Sequence, residues 1–219
     1  MKVVIKTKAI LWVAFFTTLS SSLLVSAAPP DAAAGKVKAQ TCFACHGESG
    51  ISISSEIPNL AAQPALSITY QLIQFRGQQR KGGAMEALAA ALSDQDMRDI
   101  AAYYAALPPP PAKSGNADKI AKGQQIAGTQ YCNSCHGAQL QGQKHIARLA
   151  GQSPEYLITQ LKNIRSGARI DMDGTMGSAA RGLSDDDIES LAAYAASLNW
   201  FWTKLLTCNQ KTIFFLLIS

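Results

Sequence analysis

Two short motifs place cysteine and histidine side chains where they could attach a cofactor covalently. In each motif two cysteines flank two other residues, and a histidine follows the second cysteine directly. The residues are Cys42, Cys45 and His46 in the first copy and Cys132, Cys135 and His136 in the second. This Cys-x-x-Cys-His spacing is the attachment signature of c-type haem. The sulfurs would add to the two vinyl groups of the porphyrin, and the adjacent histidine would lie beneath the ring with an imidazole nitrogen on the iron.

Three other uses of paired cysteines compete with haem attachment. A structural zinc site with four cysteine ligands needs its pairs close together, but Cys132 comes 87 positions after Cys45. A thioredoxin-like dithiol needs a βαβ context, which the sequence does not show. Simple disulfides would leave His46 and His136 unexplained. Two complete copies of the motif therefore favour two covalently bound haem c groups.

The second axial position of each iron decides between electron transfer and open-site chemistry with gas or peroxide. Met85 lies 39 residues after His46, and Met176 lies 40 residues after His136. Each of these methionines also stands seven residues before the leucine of a Leu-Ser-Asp segment. The matched positions predict that Met85 and Met176 are the sixth ligands, each in an irregular segment before the last helix of its module. Methionine is also a common filler of core gaps, which is the alternative use of both residues.

Other candidate ligands fit the repeat less well. Met97 aligns with Ile188, which indicates an apolar helix position, and Met172 has no counterpart in the first half. His145, the remaining histidine, also lacks a counterpart and is expected at the surface.

The chain consists of two copies of one module. Leu60–Gln63 recurs as Leu149–Gln152, and Leu92–Asp96 recurs as Leu183–Asp187, at offsets of 89 and 91. Four consecutive prolines, 108–111, separate the copies and predict a semi-rigid linker. We therefore expect a first domain at 28–107, a linker at 108–117 and a second domain at 118–199. A module of roughly 85 residues is marginal with a side-chain core alone, so something else is expected to fill each core.

The elements that must position these residues are predicted to be helices throughout. Apolar residues recur at helical spacing after Ser93 and Ser184, and Asp96 and Asp187 complete a capping-box-like start. A middle helix is predicted at about 65–76 and again at 154–165. A shorter helix is expected before each cysteine motif, at about 31–40 and 118–128. No strand alternation or hairpin signal is present.

The two ends of the chain carry different signals. Lys2, Lys6 and Lys8 precede an apolar run that ends in Val25-Ser26-Ala27. This pattern is typical of a cleaved secretory signal over residues 1–27, and export implies an oxidising compartment.

The tail 200–219 lies beyond the second repeat. Its longest apolar run has six residues, too short to span a bilayer, so it is either an interfacial segment or a segment without function. It also contains Cys208, which would lack a partner if the other four cysteines hold haem.

Net charge excludes one class of function. The chain carries 20 basic and 15 acidic residues, a formal charge of +5. Three of the lysines belong to the signal and two to the tail, so residues 28–199 carry 15 of each sign. The basic balance therefore gives no support for nucleic-acid binding.

Taken together, these residues resemble the class I c-type cytochromes, and their tandem arrangement is similar to the di-haem cytochrome c4 family. The resemblance covers about residues 30–199. It implies an all-α protein with two tandem cytochrome c domains, each wrapped around one low-spin haem with His/Met ligation. It also implies that the first and last helices of each domain cross, with Gly35 and Gly123 as candidates for the close contact.

The resemblance extends to residues around the ligands. In such proteins a proline carbonyl accepts a hydrogen bond from the ligand histidine, and Pro58 fits this role for His46. Ala147 stands at the matching position, which predicts a less fixed carbonyl and haems of unequal potential. Two arginine pairs also repeat, Arg76 with Arg80 and Arg165 with Arg169. They are candidates for haem propionate partners, Arg80 and Arg169 in particular, or for solvated helix ends.

The function predicted from these residues is electron carriage, not catalysis, because a six-coordinate iron leaves no site for substrate. The resemblance implies a periplasmic shuttle, soluble or loosely membrane-associated, between a quinol-oxidising complex or dehydrogenase and a terminal oxidase. Two alternatives stay open. One is a cytochrome subunit of a dehydrogenase complex, and the other is a di-haem enzyme for peroxide or sulfur compounds with one exchangeable axial ligand.

Overall fold

The computed structural model describes residues 28–171 and 173–199, and its regular elements in these ranges are helices. The first half contains α1 (Ala32–Lys38), a 3-10 turn (Ala39–Cys42), α2 (Phe43–His46), α3 (Ala65–Arg76), α4 (Ala84–Ala90) and α5 (Asp94–Ala106). The second half contains α6 (Ala117–Thr129), α7 (Cys132–His136), α8 (Pro154–Ser166), α9 (Thr175–Ala180) and α10 (Asp185–Ser197). The predicted all-α class is therefore confirmed. The predicted signal, Met172 and the predicted tail with Cys208 lie outside the described residues.

The last helix of each half begins at the predicted capping box. Ser93 Oγ accepts the Asp96 backbone N–H at 3.1 Å, and the Asp96 carboxylate accepts the Ser93 N–H at 3.0 Å. Ser184 and Asp187 repeat both bonds at the same two distances. Because each box satisfies N–H groups that a helix start leaves unpaired, α5 and α10 begin at fixed residues.

The first and last helices of each half cross at a glycine. A Cβ atom built on Gly35 of α1 would lie 1.9 Å from the Asp99 carbonyl oxygen of α5. A Cβ atom on Gly123 of α6 would lie 2.0 Å from the Ser190 carbonyl oxygen of α10. The helices therefore approach backbone to backbone, and the close contact expected at Gly35 and Gly123 is confirmed.

Each half packs its own apolar core around these crossed helices. In the first half Ala39, Ile68, Leu72, Phe75, Ile100 and Tyr104 are among the buried members. In the second half Ala127, Leu140, Leu157, Leu191, Ala192 and Ala195 are among them. Met97 and Ile188 are fully buried at matching positions, which confirms that Met97 is a core residue.

An ion-pair cluster joins α1 to α5. The Lys38 ammonium lies 2.6 Å from Asp96 Oδ1 and 2.8 Å from Asp99 Oδ2. This cation, helped by the bonds from Ser93, lowers the pKa of Asp96 to about 2. It is also the main cause of the lowered pKa of Asp99. Lys122 plays the same part beside Asp187 in the second half.

We expect the free energy of unfolding of the first half to fall as the pH drops from about 4 toward about 2. The folded pKa of Asp96 lies below its unfolded value of about 3.9, so the stabilisation is complete above that value and is lost as the pH falls through the folded one. Urea unfolding of the wild type and of Lys38→Met at pH 6 and pH 3 measures the effect, and the variant should show the smaller pH dependence. Lys36→Met is the matched control, because Lys36 pairs with Glu48 at the exposed surface. An equal loss of unfolding free energy between pH 6 and pH 3 in all three proteins would contradict the prediction.

The proline segment between the halves runs along the second half. Pro110 is buried, and its carbonyl oxygen would lie 2.9 Å from a Cβ atom built on Gly151. The Lys113 N–H donates to the Ala196 carbonyl at 2.8 Å, just beyond the prolines. The connection is thus held against α10. Among residues 28–171 and 173–199, no helix combines the length and hydropathy that a membrane span requires.

Candidate haem sites

A short helix ends at the histidine of each cysteine motif, and in the first motif Cys42 is the last residue of the 3-10 turn that leads into that helix. The first cysteine of each motif, Cys42 or Cys132, is half-buried, and the second, Cys45 or Cys135, is exposed. No disulfide joins these four cysteines, so the simple disulfide alternative is not realised. Burial raises the pKa of the Cys42 and Cys132 thiols. A glycine with positive φ follows each histidine and lets the chain turn away from the motif.

The two histidines are buried and oriented by backbone carbonyls. His46 is 6% exposed and His136 is 8% exposed. His46 Nδ1 donates to the Pro58 carbonyl at 2.9 Å, and His136 Nδ1 donates to the Ala147 carbonyl at 2.8 Å. Burial lowers the pKa of both imidazoles, which favours the neutral form that binds metals. Because Nδ1 is engaged, Nε2 is the nitrogen left for an iron.

The matching carbonyl in the second half is as well placed as the one in the first. We expected the Ala147 carbonyl to be less fixed than that of Pro58, yet the two Nδ1–O distances differ by only 0.1 Å. A proline is therefore not what holds this carbonyl. The N–H of the same peptide group, that of Arg148, donates to Gln63 of the other half.

Met85 and Met176 occupy equivalent places in the fold. Each is half-buried in the first turn of a short helix, α4 or α9, whereas the sequence predicted an irregular segment. A glycine with positive φ, Gly83 or Gly174, precedes each helix, and such residues are read as turns when only the sequence is considered. Met85 packs against the first core, and the Met176 N–H donates to Asp171 Oδ2 at 2.8 Å.

The first arginine of each repeated pair ties two helices together. Arg76 donates to the Leu92 carbonyl and to Asp94 at 3.1 and 2.6 Å, which fastens the end of α3 to the start of α5. Arg165 donates to the Leu183 carbonyl and to Asp185 at 2.7 and 2.6 Å. Both guanidinium groups are thus engaged at helix ends, which is the second of the two roles predicted for them.

The second arginine of each pair lies between the halves. Arg80 donates to Gln71 and, across the boundary, to Tyr156 Oη at 2.8 Å. Arg169 donates to Gln160 at 2.7 Å and, across the boundary, to Gln71 at 3.1 Å. Burial, and next the charge of Arg80, lowers the pKa of Arg169 to about 10.

This cluster therefore brings two cations together, Arg80 buried and Arg169 half-buried. Within the described residues no carboxylate lies within ion-pair distance of Arg80 or Arg169, and Arg80 Nε has no hydrogen-bond partner. Buried guanidinium groups are stabilised by anions, carboxylates above all. The cluster therefore suits a carboxylate from a group that is bound between the halves.

Sequence reasoning missed the polar residues that line the boundary. Gln63 and Gln152 hold backbone groups of the opposite half, and Arg148 is buried beside them with its Nη2 atom unpartnered. Both glutamines are the last residue of the Leu-Ala-x-Gln repeat, which was the available signal.

His145 is exposed, as predicted, and lies edge-on to Tyr70 at 6.4 Å between ring centroids.

The residues present fit a covalently bound haem in each half. Each half offers two thiols, an oriented imidazole with Nε2 available, and a half-buried methionine at a matched position. The unpartnered guanidinium atoms of Arg80 and Arg148 are suited to the carboxylates that haem also carries. Within the described residues no three or more His, Cys, Asp and Glu side chains converge as they would in a metal site built from protein ligands alone.

Comparison with known families assigns a cytochrome to each half. The family described as "Cytochrome c" matches residues 120–199. The family described as "Cytochrome C oxidase, cbb3-type, subunit III" matches residues 29–103.

Full-length relatives match both halves together. Cytochrome c4 of Pseudomonas aeruginosa is 35% identical over 202 residues, which cover 86% of this chain and 98% of the relative. The chain belongs to the cytochrome c4 family. Two covalently bound haem c groups, as in cytochrome c4, are therefore its cofactors, and its activity is electron transfer. The crystal structure of reduced cytochrome c4 from Pseudomonas stutzeri superimposes with a TM-score of 0.73 at 30% identity, covering 78% of this chain and all of that one.

Another relative is named for the enzyme from which it accepts electrons. A protein named "Thiosulfate dehydrogenase electron acceptor" from Stutzerimonas stutzeri is 34% identical over 172 residues, which cover 73% of this cytochrome c4 chain and 80% of the relative.

Proposed function

We propose that this cytochrome carries electrons in the periplasm between a respiratory donor, such as a quinol-oxidising complex, and a terminal oxidase. The observation that carries the proposal is the presence of two equivalent sites, each with a buried histidine and a half-buried methionine at matched positions. A site closed by two protein ligands suits electron transfer, because it leaves no position for a substrate.

These placements support the ligand assignment that we propose. Cys42 and Cys45 attach the first haem, and Cys132 and Cys135 attach the second. His46 with Met85, and His136 with Met176, are the axial pairs. When bound, each haem supplies a one-electron Fe(III)/Fe(II) couple, and thioether ligation raises its potential. The polypeptide orients the imidazoles through Pro58 and Ala147 and shields them in apolar cores.

Arg80 and Arg169 are proposed as partners of haem propionates at the boundary between the halves. Arg80 is buried and Arg169 is half-buried, and both donate to Gln71. Neither lies within ion-pair distance of a carboxylate among the described residues. A propionate would supply the missing negative charge and would relieve the repulsion that helps to lower the pKa of Arg169.

Periplasmic placement rests on the N-terminal pattern of residues 1–27. A cleavable signal exports the chain to a compartment where covalent haem attachment retains the cofactor. Peripheral contact with the membrane surface is compatible with this location.

A second candidate function is favoured by one relative. The protein named as a thiosulfate dehydrogenase electron acceptor shares 34% identity with this chain. We infer from it that a dehydrogenase of sulfur compounds is an alternative donor. The same two sites would then work as the cytochrome partner or subunit of that enzyme.

Rapid-mixing experiments distinguish the donors. The oxidised holoprotein is mixed in turn with a quinol-oxidising complex and with a thiosulfate dehydrogenase plus thiosulfate, and the reduced protein is then mixed with a terminal oxidase. We expect reduction by the quinol-oxidising complex and reoxidation by the oxidase, both within the turnover time of those enzymes. Reduction by the dehydrogenase alone would assign the second candidate. Failure of the oxidase to reoxidise the protein would contradict the leading proposal.

A further inference from the structure

Two glutamines reach across the boundary between the halves and hold the same backbone position in opposite directions. Gln152 Oε1 accepts the Asn59 N–H at 2.8 Å, and Gln152 Nε2 donates to the Asn59 carbonyl at 2.9 Å. Gln63 Oε1 accepts the Arg148 N–H at 2.9 Å, and Gln63 Nε2 donates to the Arg148 carbonyl at 2.8 Å. Since each glutamine and each held residue are 89 positions from their counterparts, the two clasps are equivalent.

Each clasp acts on a peptide group that also contacts a proposed axial histidine. The N–H of Asn59 and the carbonyl of Pro58 belong to one peptide group, and that carbonyl accepts the bond from His46 Nδ1 at 2.9 Å. The N–H of Arg148 and the carbonyl of Ala147 likewise belong to one peptide group. A continuous hydrogen-bonded path therefore runs from Gln152 through one peptide group to His46.

The equivalent path runs in the opposite direction. It leads from Gln63 of the first half, through the peptide group that joins Ala147 to Arg148, to His136 of the second half at 2.8 Å. Each half thus holds the histidine of the other through a single peptide group.

Burial makes these paths effective. The four residues that form the clasps are between 3% and 8% exposed, namely Asn59, Gln63, Arg148 and Gln152. Water therefore does not compete for the bonds, and in such surroundings hydrogen bonds in series polarise one another. The path also explains why the Ala147 carbonyl is fixed without a proline, because Gln63 holds the peptide group from its other side.

We propose that Gln63 and Gln152 are positioning residues that set the reduction potential of the haem in the opposite half. The inference rests on the proposed function, in which His46 and His136 are axial ligands. An acceptor on a peptide N–H makes the carbonyl of that peptide more negative and a better acceptor for Nδ1–H. A stronger Nδ1–H bond increases the electron donation of the imidazole and favours ferric iron.

Removing a glutamine should therefore raise one potential, and it should be that of the haem in the other half. Gln152→Met keeps the length of the side chain but removes its polar atoms. The equilibrium constant for one-electron reduction of the first haem should rise by at most about tenfold, which corresponds to about 59 mV. The second haem should change much less. Gln63→Met should give the reverse pattern.

The measurement is a redox titration of the full-length holoprotein followed by ¹H NMR. The methyl signals of the methionine ligands report on each haem separately, and the variants Met85→Ala and Met176→Ala assign them. In the fully reduced protein, the Nδ1–H signal of His46 should move upfield in Gln152→Met while that of His136 stays in place. If one glutamine variant does not accumulate as folded protein, the other gives the same test with the haems exchanged.

Ser153→Ala is the matched control for a general loosening of the boundary. Ser153 Oγ donates across it to the Ser55 carbonyl and is not part of either path. The Ser153 N–H does donate to Gln152 Oε1 at 2.9 Å, but alanine keeps that backbone bond. We expect no more than a small, uncrossed change in this variant. Equal shifts of both haems in Gln152→Met, a shift confined to the haem of its own half, or unchanged potentials would each overturn the proposal.

Failure of the ligand assignment would look different. If a histidine or methionine were not a ligand, the wild-type protein itself would show a high-spin haem or bind carbon monoxide. A wrong ligand assignment is therefore seen in the wild type. A wrong role for the glutamines is seen only in the variants, in a protein whose wild type has two low-spin haems.

Discussion

Replacement of Met85 by alanine should make the reduced protein bind about one equivalent of carbon monoxide, whereas the wild type binds none. The reason is that removal of a thioether opens one axial position, and an open position on ferrous haem takes small gas ligands. The site cannot replace the ligand from nearby, since Met85 lies in the first turn of a short helix with no other methionine in it. Optical titration with carbon monoxide and the absorption spectrum of the oxidised protein measure the change.

Controls of the same residue type are available within the chain. Met176→Ala should open the other site to the same extent. Met97→Leu should leave both haems closed, because Met97 is fully buried in the first core, and its cost in stability should stay below about 1.5 kcal/mol. Carbon monoxide binding by Met97→Leu but not by Met85→Ala would reverse the assignment. Ready binding by the wild type would instead favour the di-haem enzyme alternative.

Gly123→Ala should destabilise the second half by about 3 kcal/mol, the upper part of the usual range for overpacking. The added methyl group would lie 2.0 Å from the Ser190 carbonyl oxygen and 2.8 Å from Tyr194 Cβ. Since the first of these atoms is backbone, α6 and α10 must separate to admit it. Gly35→Ala should have a similar effect on the first half, where the Asp99 carbonyl oxygen is 1.9 Å away. Thermal and urea unfolding followed by circular dichroism measure both effects.

Gly128→Ala is the matched control for this prediction. Gly128 lies in the same helix as Gly123, but a Cβ atom built on it meets no atom within 4 Å. Alanine is the better helix former by up to about 1 kcal/mol, so this variant should be as stable as the wild type or more stable. A loss of stability in Gly128→Ala equal to that in Gly123→Ala would show that the crossing is not the cause.

Local and repeated signals account for what the sequence predicted well. Residues 65–76 form a helix as predicted, and Ser93 and Ser184 begin helices as predicted, because spacing and capping depend on neighbouring residues. Repetition then paired Met85 with Met176 without any knowledge of the fold. The short helices that carry these methionines were missed because their glycine starts are typical of turns.

Long-range contacts account for what the sequence did not predict. Gln63 and Arg148 are 85 positions apart, and nothing local indicates that they meet. The placement of Arg80 beside Arg169 depends in the same way on how the halves pack. The repeat could show that each glutamine mattered twice, but only the packed structure shows that each serves the other half.

The reciprocal clasps give the boundary the form of a symmetric homodimer interface. Gln152 of the second half holds Asn59 of the first, and the equivalent Gln63 of the first half holds Arg148 of the second. Such a pair of equivalent contacts is the pattern of an isologous interface. Here the two subunits are joined by the proline segment, which is itself fastened along the second half. A tether that is held in place makes the closing of the clasps an intramolecular event. Clasps too weak to hold two separate chains together are therefore closed at any dilution of the protein, and the coupling between the two sites does not depend on how much of it a cell makes.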